Sequence, residues 1–305
     1  MACDFCGSES IKQIYKLKDY QFKIPGEFNL VKCNGCNLLY LYPQPNWEIL
    51  KVHYPTNYDA YQLKPKSAFT IWNHYGLYRR CSIISKYKKG GMLLDVGCAT
   101  GSFLTTMKNC GEWKLYGVEK SEYAVNLARK KDGINIYQGE IIDAKFPDNY
   151  FDVITWWDVL EHVPNPSASL YETYRILKPG GWVFIQTPDP DSWEAHIFGK
   201  YWRGFEAPRH LHLFPRPLLI KRLTDFGFNV KFVRSFAGNL SIIFTSLSYF
   251  LDSVGYDKLS KGIKSFTNSY FFYILGFPFS LLLRTANLSS SVLYVAQKSS
   301  TKYFL

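Results

Sequence analysis

The chain has 305 residues, 47% of them hydrophobic, which is enough material for one large domain plus a smaller one and excludes a disordered or fibrous protein. An excess of 36 Lys and Arg over 25 Asp and Glu gives a formal charge of +11. That biases the chain toward anionic partners without choosing among nucleic acid, an acidic membrane face and a phosphorylated substrate.

The opening stretch MACDFCGSES has no apolar signal segment, in keeping with a cytoplasmic chain. Cys3-x-x-Cys6 and Cys33-x-x-Cys36 follow, with 26 residues between the pairs. Each pair sets two thiolates on one tight turn eased by Gly7 or Gly35, and together they complete a tetrahedral four-sulfur site for zinc. Such a site has no open position for water, so its job is structural. The alternative is four free surface thiols, and a redox role lacks the βαβ context it needs. Cys81, Cys98 and Cys110 are scattered, which suits a reducing compartment. LLYLY (38–42) is β-prone, and Pro43 and Pro45 mark an exit, so residues 1–45 read as a zinc-ribbon module. Residues 46–90 read as linker and helix, ending at Gly90-Gly91.

From residue 92 strands and helices alternate. MLLDV (92–96) leads into a glycine-bearing turn and the helical SFLTTMKNC. KLYGVE (114–119) is a second strand, SEYAVNLARKK a helix with Ser121 as N-cap, and INIYQ (134–138) a third strand. FDVITWW (151–157) is a fourth. PSASLYETYRILK is a helix stopped by Pro179-Gly180-Gly181, and WVFIQT (182–187) is a fifth strand. This alternation predicts an α/β fold, a Rossmann-like doubly wound, mostly parallel sheet of seven strands with its ligand at the carboxyl ends. Residues 188–214 read as a long polar and aromatic connection, PRPLLIKRLTDFG (215–227) as a helix, NVKFVRSF as a sixth strand and SVLYVAQK (291–298) as the last. The core is thus expected at 91–238 and 288–300, with an apolar helical insertion at 239–287.

LLDVGCATGSFL places Asp95 at a strand end and Gly97 and Gly101 in the turn that opens a helix. Glu119 ends the next strand, where an acid accepts hydrogen bonds from ribose hydroxyls. The spacing GCATG is not the GxGxxG of nicotinamide enzymes. Four motifs in order, LLDVGCATG, GVEKS, FDVITWWDVLEHVPNP and LKPGGWVFIQTPD, resemble class I S-adenosylmethionine-dependent methyltransferases over roughly residues 90–235. The resemblance implies that Asp95, Gly97, Cys98 and Gly101 line the methionine moiety. It also implies that Glu119 holds the ribose, that Glu140 and Ile141 flank the adenine, and that Trp156 closes over the cofactor, with Lys120 counted among the cofactor-binding residues. Ala99 stands where many members have glycine. The plainer readings are a capping acid for Asp95, a solvated surface charge for Glu140 and core aromatics for Trp156 and Trp157.

Methyl transfer to oxygen or nitrogen is an in-line displacement at a reactive sulfonium, so the protein aligns the acceptor and removes its proton. DVLEHV supplies Asp158, Glu161 and His162 just after the fourth strand, and GFEAPRHLHLF supplies His210 and His212. In an extended segment the last two share one side. These three histidines are the candidate bases, each alternatively a polar residue bonded to a loop. Metal ligation by the His210 and His212 pair would need a further ligand, Glu206 or Glu161, and ranks below general base or acceptor binding. WRGFEAPRHLHLF is similar to a W-x-x-x-x-x-P-R-H-L-x-x-F stretch in many relatives with a cysteine ribbon.

Relatives with this ribbon resemble bacterial enzymes acting on sugars or glycan precursors, and the core also resembles ubiquinone-pathway O-methyltransferases. Fewer than eighty residues follow the sixth strand, less than sugar C-methyltransferases usually carry, which favours O-methylation of a sugar or glycan-precursor hydroxyl, in one version lipid-linked. Residues 240–284, with Lys258, Lys261, Lys264 and Arg284, are read as a peripheral contact with an anionic membrane, as on the inner face of a membrane, or else as a helical cap or homodimer surface. RNA base methylation is the alternative from another class, opposed by the nearly balanced charge of residues 1–45. A non-catalytic cofactor-binding scaffold is a third.

Overall fold

The computed structural model describes residues 2–55, 58, 61, 68–237, 240–267 and 269–300. The amino-terminal part holds β1 (Ile11–Leu17), β2 (Phe28–Cys33) and β3 (Leu39–Leu41), then the short helix α1 (Trp47–Leu50) and the long α2 (Ala68–Ser85). The core continues with β4 (Gly90–Val96), α3 (Ser102–Met107), β5 (Glu112–Glu119), α4 (Glu122–Ala128), β6 (Ile134–Gln138), β7 (Phe151–Trp157), α5 (Pro166–Ile176) and β8 (Leu177–Pro188). The remainder is α6 (Trp193–Phe198), β9 (His212–Leu213), α7 (Arg216–Asp225), β10 (Phe228–Ala237), α8 (Leu240–Ser253), α9 (Asp257–Thr267), α10 (Tyr270–Thr285) and β11 (Ser291–Lys298).

Seven strands form one sheet in the order β10-β11-β8-β7-β4-β5-β6. The pairings among β4, β5, β6, β7 and β8 are parallel, and β11 runs antiparallel to both β8 and β10. The fold is therefore the expected Rossmann-like one. Its central strands are apolar almost throughout because helices cover both faces. Alternate residues divide between two cores: Leu94, Val96, Ile154, Trp156, Val183 and Ile185 face one layer, and Leu93, Val153, Trp157 and Phe184 face the other. The fifth strand begins earlier than expected. α5 stops at Ile176, and Pro179-Gly180-Gly181 form a bulge inside β8, since Phe151 pairs with Leu177 but Val153 with Trp182.

The smaller sheet differs from expectation in one respect. Its order is β1-β2-β3-β9, all antiparallel, so the amino-terminal module takes its fourth strand from the PRHLHLF segment, with Tyr40 opposite His212 and Leu39 opposite Leu213. The module is consequently built into the core: Phe5 stacks on Phe214 at 5.4 Å between ring centroids, and Cys3, Val31, Leu38 and Tyr40 share a core with β7 and β8. The 188–214 connection holds α6 and two 3-10 turns, packed through Trp202, Phe205 and Leu211 on Leu17, Leu30 and Leu41.

The insertion is helical, as expected. α8 is fixed by Ser246 Oγ, which accepts the Arg203 amide at 2.9 Å, and by Asp252, which pairs with Lys23 and Lys264. α10 is much less covered, with Phe271 73%, Ile274 69%, Leu275 63% and Phe279 62% exposed. Among the described residues no single helix is long and apolar enough to cross a membrane.

Candidate active site

The turn after β4 is made by three residues in the left-handed region, Gly97 (φ 68°), Ala99 (φ 46°) and Gly101 (φ 73°). Glycine is required at 97 for space as well, because a Cβ there would lie 2.4 Å from Val159 Cγ2. The Gly97 and Cys98 amides donate to the Val118 carbonyl at 2.8 and 3.0 Å, which draws the turn against the end of β5. Ala99 takes the strained conformation without glycine's freedom, and the contact that fixes it is its amide, which donates to Glu119 Oε2 at 3.0 Å. Glu119 Oε1 accepts from the Ser121 amide at 2.8 Å. Burial raises the Glu119 pKa, and those amide bonds oppose the rise. Each oxygen keeps a second lone pair, so the carboxylate fits a pair of ribose hydroxyls.

Asp95 is buried in β4, accepts from Thr155 Oγ1 at 2.7 Å, and is pushed up to about 7 by burial. A carboxyl held this way, with no cation bonded to it among the described residues, fits the ammonium of a bound amino acid. Lys120 pairs with Glu140 at 2.7 Å, and its ammonium lies 4.8 Å from the centre of the Trp47 ring, so the two charges stand together at the rim beside β5 and β6.

Three sequence expectations are corrected by burial. Cys98 packs its sulfur where a Cβ on Gly117 would meet it at 2.5 Å, so it offers a ligand only its backbone. Ile141 and Trp156 are 2% and 0% exposed inside one core, and a Trp156 side chain with no exposed surface cannot close over a cofactor as the core stands.

The histidines separate. His212 lies in β9 with its ring between Tyr40 and Phe214, at 6.3 and 6.2 Å, and burial lowers its pKa to about 4. It belongs to the amino-terminal sheet. His210 does not share its side, because the chain at 207–210 is a turn rather than a strand, with the Arg209 and His210 amides both directed at the Glu206 carbonyl. His210 instead meets His162, with ring centroids 4.6 Å apart. His162 sits on the 3-10 turn Leu160–His162 that follows β7. Its Nδ1 donates to the Arg209 carbonyl at 2.9 Å and contacts Tyr54 Oη at 3.1 Å, and His210 Nδ1 donates to the Gly204 carbonyl at 2.7 Å. A carbonyl only accepts, so both rings carry their lone pair on Nε2. Burial lowers both pKa values, His210's to about 3.

Beneath them Glu161 is 0% exposed, and burial raises its pKa well above the usual range. Glu206 stands 3.6 Å from His210 Nε2 and is held ionised, against its burial, by Arg203 first and also by Arg209. Asp158 turns away to Arg80 (2.8 Å) and Gln186 (2.9 Å). Sequence reasoning missed the cover of this edge. Tyr54, Tyr58 and Tyr61 form a ladder with ring centroids 5.2 and 5.4 Å apart, running from His162 to the neighbourhood of Glu119. Only their spacing of three or four residues hints at one shared face.

The four cysteines gather away from this edge. Cys3 and Cys36 sulfurs are 3.6 Å apart, Cys6 and Cys33 sulfurs 3.5 Å, and all four lie within 4.8 Å of one another. A tetrahedral zinc site with bonds of about 2.3 Å needs sulfurs about 3.8 Å apart, so the cluster fits the ion. The Gly35 amide donates to the Cys33 sulfur at 3.3 Å, as a turn carrying a metal thiolate does.

Comparison with known proteins agrees with this geometry. A methyltransferase domain model matches residues 72–231, just over half the chain. The chain is 28% identical over 193 residues to a demethylmenaquinone methyltransferase from Symbiobacterium thermophilum, covering 56% of this chain and 75% of that protein. It is 36% identical over 105 residues to a ubiquinone biosynthesis O-methyltransferase from Thiobacillus denitrificans, where the match spans 32% of this chain and under half, 44%, of the relative. The fold is similar to that of an S-adenosylmethionine-dependent methyltransferase from Archaeoglobus fulgidus, with a TM-score of 0.50 at 22% identity over 74% of this chain and 94% of that one. The glycine turn, the acid ending β5 and the seven-strand order therefore have one common explanation: the chain belongs to the methyltransferase domain family and is a class I S-adenosylmethionine-dependent methyltransferase.

Proposed function

We propose that the chain methylates a hydroxyl of a sugar or glycan precursor carried on a lipid. The observation that carries this reading is the cluster of Glu161, His162 and His210 at the carboxyl end of β7, two neutral imidazoles and a buried carboxyl set beside the glycine turn. The bound cofactor supplies an electrophilic methyl group. Asp95 and Glu119 hold its amino-acid and ribose ends, on either side of the turn whose Ala99 amide bonds Glu119. In this reading the free Nε2 of His162 or His210 takes the proton that an attacking acceptor hydroxyl must lose. Tyr54 and Tyr58 present ring faces and hydroxyls together, a surface suited to a polyhydroxylated ring.

The apolar face of α10, with Lys258, Lys261 and Lys264 on the neighbouring α9, supports delivery from an anionic membrane surface. In this reading the cysteine cluster binds zinc and anchors the amino-terminal sheet. A second reading, methylation of a hydroxyl on a quinone precursor, is favoured by the similarity to a ubiquinone biosynthesis O-methyltransferase. Incubation with labelled S-adenosylmethionine and separate glycolipid, quinone-lipid and RNA fractions tests both. Label in the glycolipid fraction is expected, label in the quinone fraction selects the second reading, and label in RNA overturns both. Co-sedimentation with anionic liposomes at low salt is expected as well, and its absence removes membrane delivery.

A further inference from the structure

The geometry points to a divalent metal site built from Glu161, His162 and His210 at the acceptor edge. The donor atoms of these three residues all lie within 4.8 Å of one another, with His210 Nε2 4.0 Å from Glu161 Oε1. A triangle with sides of up to 4.8 Å has its centre within about 2.8 Å of each corner, so a contraction of about half an ångström brings all three to the roughly 2.0–2.2 Å of a metal bond.

Two features favour a cation over a plain polar cluster. First, both Glu161 oxygens are fully buried and make no hydrogen bond; 4.0 Å to His210 is too long for one, and the Thr187 hydroxyl faces them only at longer range. A carboxyl left in this state costs stability, and a bound cation in place of its proton removes that cost. Second, each imidazole gives Nδ1–H to a main-chain carbonyl, His162 to Arg209 and His210 to Gly204, which fixes the tautomer with the lone pair on Nε2. Metal-binding histidines are oriented in this manner by their outer hydrogen bonds. The nearby guanidiniums do not oppose an ion uncompensated, since Arg203 pairs with Glu206 and Arg209 with Asp19 as well as Glu206.

Two nitrogens and one carboxylate suit first-row ions such as Mn²⁺, Fe²⁺, Co²⁺ or Zn²⁺, and three protein ligands leave positions for an acceptor oxygen. With the ion in place the histidines are ligands and not bases. The acceptor hydroxyl binds the ion, its acidity rises, and its proton passes to solvent water. The oxygen's electron pair then forms the new O–CH₃ bond while the S–CH₃ bond breaks with its pair returning to sulfur. That role rests on the proposed hydroxyl acceptor, whereas the site itself does not, so binding is measured without acceptor.

The test is titration of Mn²⁺ into the zinc-loaded full chain, followed by electron paramagnetic resonance, because hard Mn²⁺ competes poorly for the thiolate cluster. One Mn²⁺ per chain is expected, weakened at least about tenfold in Glu161→Gln and in His210→Gln, with folding checked by circular dichroism. His162→Gln, at a less buried position, gives the same reading if either of those fails to fold. Absence of Mn²⁺ binding together with absence of a second Zn²⁺ equivalent in the unsubstituted chain overturns the inference. So does Mn²⁺ binding that all three variants retain. Failure of the acceptor assay leaves this titration unchanged, so the two proposals fail separately.

Discussion

Arg209→Met is expected to destabilise the protein by about 3–5 kcal/mol, the cost of breaking a buried ion pair from one side. Arg209 is 1% exposed and makes five hydrogen bonds: to Asp19 Oδ2 (2.9 Å) and Oδ1 (3.3 Å), to the His53 carbonyl (3.1 Å), to Gln21 (3.1 Å) and to Glu206 (3.0 Å). Methionine keeps most of the stem's volume and none of the donors. Burial alone would raise the Asp19 pKa, and Arg209, helped by His53 and the Phe22 amide, outweighs it. Once Arg209 is gone, Asp19 retains His53 and the Gln21 and Phe22 amides, so the loss stays below the sum of five charged bonds at about 1.5–3 kcal/mol each. Urea unfolding of the unsubstituted chain, Arg209→Met, Asp19→Asn and the double variant at pH 7 forms a closed cycle, with an expected coupling of at least about 2 kcal/mol. A cost below about 1 kcal/mol, or additivity of the two substitutions within about 0.5 kcal/mol, would refute the reasoning. Turnover is expected to fall further than cofactor affinity, because the Arg209 carbonyl holds His162 while Glu119 is positioned independently.

Glu119→Ala removes the acceptor at the end of β5, and isothermal titration with S-adenosylmethionine should show affinity weaker by about 10- to 100-fold, as expected for charged hydrogen bonds; unchanged affinity would move the ribose elsewhere. Stripping zinc from the cysteine cluster with a chelator under reducing conditions should release one ion per chain and lower the melting temperature, and an unaffected melting curve would deny the cluster a structural role. His212→Phe addresses pH. The folded chain holds His212 down to about 4, against an ordinary 6.5, so the unfolded state binds the extra proton and the unsubstituted chain loses stability as pH falls from about 6.5 toward 4. The stability difference should move in favour of the variant by about 3 kcal/mol across that window, since groups titrating oppositely, such as Asp95 and Glu194, are common to both chains. Parallel stability curves would show that His212 does not titrate as described.

The parts of the site legible in the sequence are those fixed by neighbours along the chain. Asp95, Gly97, Gly101 and Glu119 occupy a strand–turn–helix whose conformation follows from glycine positions and a strand-terminal acid. The same local logic failed for PRHLHLF. Parity along a strand puts His210 and His212 on one side, but the strand there is only His212–Leu213, and the preceding turn rotates His210 toward His162. Trp156 was misplaced because a strand covered on both faces carries apolar residues at every position, so no alternation marks which aromatic faces which layer. Neither the tyrosine ladder nor the match between Arg209 and Asp19 has a sequence signal, since each is made by residues that only the tertiary fold brings together.

The pairing of Tyr40 with His212 spans about 170 residues of chain. Closing so long a loop carries an entropic penalty that must be met before the contact returns any stabilisation. During synthesis the cysteine-bearing sheet leaves the ribosome with β3 as an unprotected edge, and it stays so until nearly the whole methyltransferase sheet has emerged behind it. If the two cysteine pairs capture zinc early, as proposed above, the ion would hold that unfinished edge in shape during the wait, and the ribbon would serve biogenesis as well as the mature enzyme.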